Sequence, residues 1–376
     1  MKIVHFGSFT THRPCGVANV GAMLSGGLQE RGVENLIYTP TSVRTGTTSQ
    51  LTNLPMVHFY CRSKNILRRN KELENLLGDH HREKTIDIAH FYSVFTPENI
   101  IAKNAISNLK IPYVWSPQGG LDPQIMRRGK LKKAAYWRFF EKRFMLDAAA
   151  IHCLTESEEE RIRELGYTGP ISIIGNPVEI PKEPRSSPSR RITYLGRGDI
   201  SHKGLDRLLS LFGCLVTKEP ELTLNFYGCM DAKVKLKPHL DALGRDAKKV
   251  LFHPAVYDEE KIGVFTESCL YIQASRWEGF GISIAEAMAA GTPVAISRAC
   301  AISGLLETTG GALILDDFSE KGAEQVAAML GNSKLSDIQG RNGRKVAIEY
   351  FSTEVVSEKM ESMYRQVIDR KSRCVL

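Results

Sequence analysis

Apolar and polar positions along this chain repeat one theme: a short apolar run, a polar or glycine-bearing turn, then a stretch with helical periodicity. Lys2 to Gly7 predicts a strand and Ser8 to Gly16 a loop containing Thr10-Thr-His-Arg-Pro-Cys. Val17 to Arg31 predicts a helix closed by Gly32, and Val33 to Tyr38 a second strand. That order is a βαβ unit. Residues 40–56 are rich in Thr and Ser and predict irregular chain, and a charged helix is expected over Asn65 to Leu77. Buried strands follow at Ile86–Tyr92, at Pro112 running into Gly119-Gly120, at Ala148–Thr155 and at Ile171–Pro177, with an acidic helix starting at Ser157.

Glu179 to Ser189 then breaks the pattern with Pro, Lys and Ser, the composition of a linker. The theme restarts with a strand at Arg191–Arg197, a loop over Gly198–Lys203 and a helix from Gly204. Strands follow at Leu222–Gly228, Val250–His253, Leu270–Gln273, Val294–Ile296 and Ala312–Leu315. Helical segments over 319–330, 335–350 and 353–372 close the chain. Alternating strands and helices predict two α/β domains, each a doubly wound parallel sheet of Rossmann type. The expected division is residues 1–180, a linker at 181–190, a second domain over 191–352 and a closing helix within 353–376.

Hydrophobic content of 42% and charge of 24% are ordinary for a globular chain, and no apolar run reaches the ~18 residues of a membrane span. Met1 to Phe6 reads as a strand, not a signal peptide. Eight scattered cysteines form no Cys-x-x-Cys, and Cys374 stands third from the end, outside a prenylation box. A cytoplasmic protein with reduced thiols is expected. The net charge of +8 is lopsided: residues 1–150 hold 21 of the 50 Lys+Arg but only 11 of the 42 Asp+Glu. The densest cluster is Arg127, Arg128, Lys130, Lys132, Lys133, Arg138, Lys142 and Arg143, interleaved with Tyr136, Trp137, Phe139, Phe140 and Phe144. Such a segment fits either an anionic membrane surface or a solvated basic face over core-packed aromatics. Nucleic acid ranks low, since no binding motif accompanies the charge.

The candidate chemistry sits in Arg276 to Ser297. A strand ends, the turn Glu278-Gly279-Phe280-Gly281 follows, and a helix runs from about Ser283 to Ala290 before Gly291-Thr-Pro293 stops it. Free amides at that helix start favour anions, and Glu278 and Glu286 flank them. Ser283-Ile-Ala-Glu286 also spells a capping box, which would give Glu286 a purely local role. Arg197 and Lys203 lie on one loop at the C-terminal end of a strand, where such sheets bind ligands. Gly228, at the next strand end, would admit a phosphate or base closely.

The whole string resembles the Glu-x7-Glu element of the retaining family 4 glycosyltransferases, which have the two-domain GT-B fold with two Rossmann-like domains facing a central cleft. The glutamate spacing, Gly279-Phe-Gly281, Glu286-Ala-Met-Ala and Gly291-x-Pro-Val carry the match. The resemblance implies that Glu278 contacts the donor sugar, that the backbone of Gly279, Phe280, Gly281 and Ile282 holds sugar and phosphate, and that Glu286 binds the ribose. Gly196-Arg197 with Lys203-Gly204 resembles the family's diphosphate clamp. Many glycosyltransferases stabilise the departing diphosphate with a metal on Asp-x-Asp. No such motif occurs here, Asp316-Asp317 being adjacent, so two cations and helix N-termini are expected to serve instead, with no cofactor.

Gly16 stands where the family has its N-terminal glycine loop, though one glycine remains where two are usual. His90 stands where the family has a histidine after an Asp-φ-φ pattern, and would line the cleft. Asn176-Pro177 replaces the family's Asn-Gly, and the last helix commonly packs back on the first domain. Gln118 replaces a histidine that lies near the reacting sugar in many members. Gln hydrogen-bonds but holds no proton at neutral pH. A mechanism in which the departing phosphate deprotonates the acceptor needs no ionisable group there, so Gln118 would orient substrate. The resemblance thus implies a hexosyltransferase using a nucleotide diphosphate sugar, UDP-linked before GDP-mannose, and a glycan or lipid-linked acceptor in surface polysaccharide or glycolipid assembly. It would lie in the cytoplasm or at the inner membrane face. A GT-B nucleotide-sugar epimerase and a non-catalytic sugar-nucleotide-binding protein are the alternatives.

Overall fold

The structure, a computed structural model, describes residues 1–9, 16–41, 49–51, 54–61, 69–127, 129–184 and 189–374. The chain divides into two compact units, Met1–Pro177 with Thr353–Leu376, and Val178–Ser352. The division therefore falls at Pro177, ahead of the Pro-rich stretch 181–190, of which 185–188 lie outside the described residues. The loop Thr10–Cys15 and Arg128 also lie outside them.

The first unit is built on one sheet. Its strands are β1 Lys2–Phe6, β2 Glu34–Thr41, β3 Ser49–Leu51, β4 Leu54–Tyr60, β5 Ile88–Tyr92, β6 Tyr113–Ser116, β7 Ala150–Cys153 and β8 Ile171–Ile173. They lie in the order β3-β4-β2-β1-β5-β6-β7-β8, every pair parallel except β3 with β4. Central β1 and β5 are buried along their whole length, as expected for strands covered on both faces. Two elements differ from the sequence reading. The stretch 40–56, expected irregular, carries β3 and the start of β4, where Met56, Val57 and Phe59 are buried. The charged helix is Lys71–Glu83, later than expected, because Asn70 caps it by accepting from the Leu73 amide at 3.1 Å.

The helix Thr353–Cys374 belongs to this first unit. Its Val356, Met360, Met363, Tyr364 and Val367 share a core with Ile3, Leu24, Leu28 and Ile88. The approach to helix Gly16–Glu30 is close: a Cβ on Gly27 would lie 2.2 Å from Ser357 Oγ.

The second unit repeats the scheme, and among the described residues its strand pairs are all parallel. β9 Arg191–Leu195, β10 Thr223–Tyr227, β11 Val250–His253, β12 Leu270–Gln273, β13 Val294–Ser297 and β14 Leu313–Leu315 lie in the order β11-β10-β9-β12-β13-β14. The helix Leu205–Lys218 buries Leu205, Leu208, Leu209, Leu211, Phe212 and Leu215 on one stripe against this sheet. The strand order reverses between β9 and β12. In open sheets of this kind ligands bind beyond the carboxyl ends of the strands at such a switch point.

The core of the first unit holds a chain of uncharged polar groups. His152 Nε2 lies 2.6 Å from the Ile174 carbonyl, which can only accept, so this nitrogen carries the proton. His152 Nδ1 must then accept from Ser116 Oγ (2.6 Å), Ser116 accepts from His90 Nε2 (2.6 Å), and His90 Nδ1 accepts from Tyr364 (2.6 Å). One carbonyl thus fixes the direction of four hydrogen bonds, from the last helix through β5 and β6 to β7. His90 is fully buried with both ring nitrogens engaged, so it is a core residue and does not line a cleft. His5 Nδ1 meets the Tyr92 hydroxyl at 3.0 Å.

Burial holds all three imidazoles neutral: His5 falls to about 3, His152 to about 4, and His90 well below the usual value, with His5 and His152 adding to its drop. Lowered histidine values mean that the unfolded chain takes up protons first. Stability is therefore intact above the unfolded value of ~6.5 and is lost as pH falls toward about 4 and about 3. Urea unfolding followed at pH 7.5 and 5.0 should show a loss of ~2 kcal/mol for each of His5 and His152. His152→Gln should make that pH dependence shallower, and a flat profile between these pH values would show that the imidazoles are not held neutral.

Candidate active site

At the switch point of the second unit, β12 ends at Gln273 and the chain turns through Ala274–Gly281 into the helix Ile282–Ala289. Gly281 is the N-cap, at φ +82°. A Cβ there would stand 2.6 Å from Ile284 Cδ1 and 3.2 Å from Glu278 Cγ, so the turn requires glycine. No side chain caps this helix. The capping box is therefore not formed: Ser283 Oγ lies 2.8 Å from the Tyr271 hydroxyl, and Glu286 turns to a partner outside its own helix. The first-turn amides of Ile282 and Ser283 have no intrahelical acceptor. Phe280 is buried edge-on against Phe351 at 5.1 Å, so what it offers a ligand is backbone.

Glu278 is the hub. Its Oε2 accepts from Lys203 Nζ at 2.5 Å, from Gln273 Nε2 at 3.1 Å and from Ser275 Oγ at 3.2 Å. The Lys203 and Glu278 side chains are only 13% and 12% exposed. Gln273 is itself oriented, since its Oε1 accepts from the Tyr271 hydroxyl at 2.5 Å. Lys203 closes the short helix Ile200–Lys203, and Gly204 follows at φ +64°. A Cβ on Gly204 would lie 2.0 Å from the Ala274 carbonyl, so glycine is what lets the β9 loop reach the end of β12. Arg276 fastens the turn with a two-pronged pair to Asp206, at 2.9 and 2.6 Å. His202 stacks on Trp277, ring centroids 4.5 Å apart and planes 7° from parallel. Burial, and then the neighbouring Lys203, lower its pKa.

Arg197 is exposed on the same β9 loop, and among the described residues its guanidinium makes no ion pair. Its carbonyl accepts from Tyr194 at 3.0 Å. Gly228 (φ +81°) has a packing role of its own. A Cβ there would lie 3.0 Å from the Gly196 carbonyl, so this glycine accommodates the Arg197 loop itself.

Glu286 makes the second lysine pair. Lys261 Nζ, from the helix Asp258–Thr266, lies 2.5 Å from its Oε1, with the two side chains 20% and 19% exposed. Burial raises the Glu286 pKa and Lys261 acts against that rise. Nothing in the sequence singled out Lys261, one cation after Asp258-Glu-Glu on a surface-seeming helix.

In the first unit, Gly16 is exposed at the first position of its helix. Gln118 sits in the turn after β6 with a left-handed backbone, φ +57°, and among the described residues its buried Nε2 has no hydrogen-bond partner. Glu158 ties this turn down, accepting from the Gly119 amide at 2.6 Å and from Leu154 at 2.8 Å. The basic segment is broken into short helices, Pro123–Arg127, Lys130–Tyr136 and Lys142–Leu146, with a π-helical turn at Trp137–Glu141. Its aromatics divide: Phe144 is core, Tyr136, Trp137 and Phe140 are half-buried, and Phe139 is 70% exposed. Leu131 is 86% exposed, and Arg127, Lys130, Lys132, Arg138, Lys142 and Arg143 are exposed with it. No described helix is long and apolar enough to cross a membrane.

Two family models match, Glycosyltransferase Family 4 over residues 14–181 and Glycosyl transferases group 1 over 177–346. The chain is 28% identical over 207 residues to an MMP alpha-(1→4)-mannosyltransferase of Mycolicibacterium hassiacum, covering 51% of this chain and 47% of that one. It is 26% identical over 178 residues to the capsular polysaccharide biosynthesis glycosyltransferase CapM of Staphylococcus aureus, covering 46% and 45%. The matches thus span about half the length of these relatives. Among solved structures, HepE of Anabaena in complex with UDP-glucose superposes with a TM-score of 0.74 at 15% identity, over 97% of this chain and 100% of that one. With both units matched by a model and the fold shared along the chain, this protein belongs to the family 4 glycosyltransferases of GT-B fold.

Proposed function

We propose that this glycosyltransferase moves a hexose from a nucleotide diphosphate sugar to a glycan or lipid-linked acceptor, with retention and without a metal ion. The observation that carries the reading is Lys203 in contact with Glu278 at the switch point, on the loop that also bears Arg197. Cleaving the sugar–phosphate bond leaves about one more negative charge on the nucleotide, and preorganised positive groups must meet it. Arg197 offers a free guanidinium, Lys203 an ammonium, and the amides of Ile282 and Ser283 a partial positive charge. A diphosphate that draws on Lys203 would loosen its hold on Glu278 and free that carboxylate for sugar hydroxyls. Glu286 is assigned the ribose, Gly279 to Ile282 the sugar and phosphate by backbone, and Gln118 the orientation of the acceptor by its amide. Asp316 and Asp317 are engaged elsewhere, the first with Arg298 at 2.5 Å and the second capping Ser319 at 2.9 Å, which favours the metal-free route.

A UDP-sugar is preferred over GDP-mannose because the HepE structure holds UDP-glucose, while the name of the mannosyltransferase relative keeps a mannosyl donor in the comparison. The name of CapM supports a role in surface polysaccharide assembly. The basic face around Leu131 and Phe139 is assigned to an anionic bilayer at which a lipid-linked acceptor would lie, two apolar side chains entering among cations.

Incubation with UDP-glucose, UDP-galactose, UDP-N-acetylglucosamine and GDP-mannose should release nucleotide diphosphate slowly from one of them. Arg197→Ala and Lys203→Ala should each lower that rate by ~10²-fold. Release of an epimerised sugar nucleotide, or tight nucleotide binding with no release from any donor, would replace transfer by one of the other two readings. EDTA should leave the rate unchanged, and loss restored by Mg²⁺ or Mn²⁺ would defeat the two-cation account. Sedimentation with phosphatidylglycerol vesicles should exceed that with phosphatidylcholine vesicles. It should fall in high salt and in a Leu131→Glu, Phe139→Glu double variant, while equal sedimentation with both lipids removes the membrane assignment.

A further inference from the structure

We propose that Lys261 is the positioning residue that keeps Glu286 charged and aimed for the paired hydroxyls of a ribose, so that it governs how nucleotide binding depends on pH. The proposal rests on the donor-site reading above and adds to it a residue from a separate element.

Lys261 belongs to the helix Asp258–Thr266, and its Nζ reaches 2.5 Å to Glu286 Oε1. Among the described residues the other oxygen, Oε2, makes no hydrogen bond, so it remains available as an acceptor. A diol brings two donors. An ionised carboxylate meets both, whereas a protonated one presents a donor of its own. Burial works against ionisation at Glu286, and Lys261 is the cation that opposes it. The other ionisable groups around this helix do not take its place. Tyr271, from β12, is held protonated by burial and is engaged with Gln273, and Glu278 is paired with Lys203. Arg344, from the helix Ser333–Val346, donates to the Ala289 carbonyl at the far end of the Glu286 helix, and β13 carries no titratable side chain. Glu278 shows the same geometry, a lysine from a separate element 2.5 Å from a carboxylate oxygen. The competing role is mechanical, the pair serving only to pin the helix Asp258–Thr266 to the helix Ile282–Ala289.

The test is calorimetric titration of wild type, Lys261→Met, Lys261→Arg and Glu286→Gln with UDP and with GDP at pH 7 and pH 9, after thermal melts confirm folding. The readout is the Kd of each variant divided by that of wild type at the same pH, so that ionisation of the nucleotide cancels. Lys261→Met should bind ~10-fold more weakly at pH 7 and recover at least ~3-fold of that loss by pH 9, as Glu286 regains its charge without help. Lys261→Arg should stay near wild type. A Lys261→Met ratio that is large but identical at both pH values overturns the proposal in favour of pinning, and a ratio near one overturns it outright. If Lys261→Met does not fold, Lys261→Gln is measured by the same two ratios. Glu286→Gln separates the levels: unchanged affinity there sinks the ribose assignment itself, whereas weakened affinity with a flat Lys261 response sinks only the present inference.

Discussion

A carboxylate set down at the end of a buried sheet stays charged only while a cation is held against it. Withdrawing an ion from water costs several kcal/mol, and an unpartnered buried glutamate would take up a proton instead. Much of the second unit's loop structure can be understood as holding Lys203 against Glu278. Gly204 lacks the Cβ that would strike the Ala274 carbonyl, so the β9 loop can close on the β12 loop. Arg276 with Asp206, and Trp277 with His202, fasten the two loops on either side of the contact. Gln273 and Ser275 fill further acceptor positions on the same oxygen that Lys203 holds. Under the proposed function these charges would be in place before a ligand arrives, and preorganisation of this kind is where electrostatic catalysis gains most.

The first unit solves a related problem without charge. Its interior contains three histidines, with Tyr92 and Tyr364 beside them, which would be costly if charged or unpaired. The carbonyl of Ile174 fixes the proton on His152, and each following donor has one acceptor left to choose, ending at Tyr364 on the last helix. A helix from the far end of the chain is thus held by apolar packing and by a hydrogen bond whose direction is settled on β7. The two units spend polarity differently: the second keeps it ionised at a rim, the first neutral in the core.

This contrast explains what could be read from the sequence. Leu270–Gln273 was legible to the residue, because a parallel strand covered on both faces is a continuous apolar run bounded by turns. The places of Glu278, the glycine turn and Arg197 with Lys203 on two strand-end loops were legible because a short loop carries each group in a fixed spacing. β4 was not, since Thr and Ser before it masked a run whose Met56, Val57 and Phe59 face the core. His90 was misread because a histidine at a strand end looks the same in sequence whether it faces solvent or a serine and a tyrosine from distant elements. Lys261 left no local signal at all: its partner is 25 residues away, and only the packing of two helices brings them together.

Gln118 is where local rules and the fold disagree most. A left-handed backbone at a residue with a side chain costs roughly 1–2 kcal/mol that glycine would avoid. A buried amide nitrogen with no acceptor costs about 1–3 kcal/mol more. Glu158 holds the strained turn in place by accepting from the next amide, and a Cβ on Gly120 would lie 2.3 Å from Val94 Cγ2, so the neighbours leave the turn little room to relax. Local strain and an unanswered donor at one residue are expected where a chain gives up stability for something other than folding. An uncharged amide can meet that demand for a hydroxylated partner, as an acceptor and a donor at once, which an imidazole in a single tautomer also does through its two nitrogens. What the replacement gives up is the proton, and a reaction whose leaving phosphate takes the acceptor proton does not need one from this position.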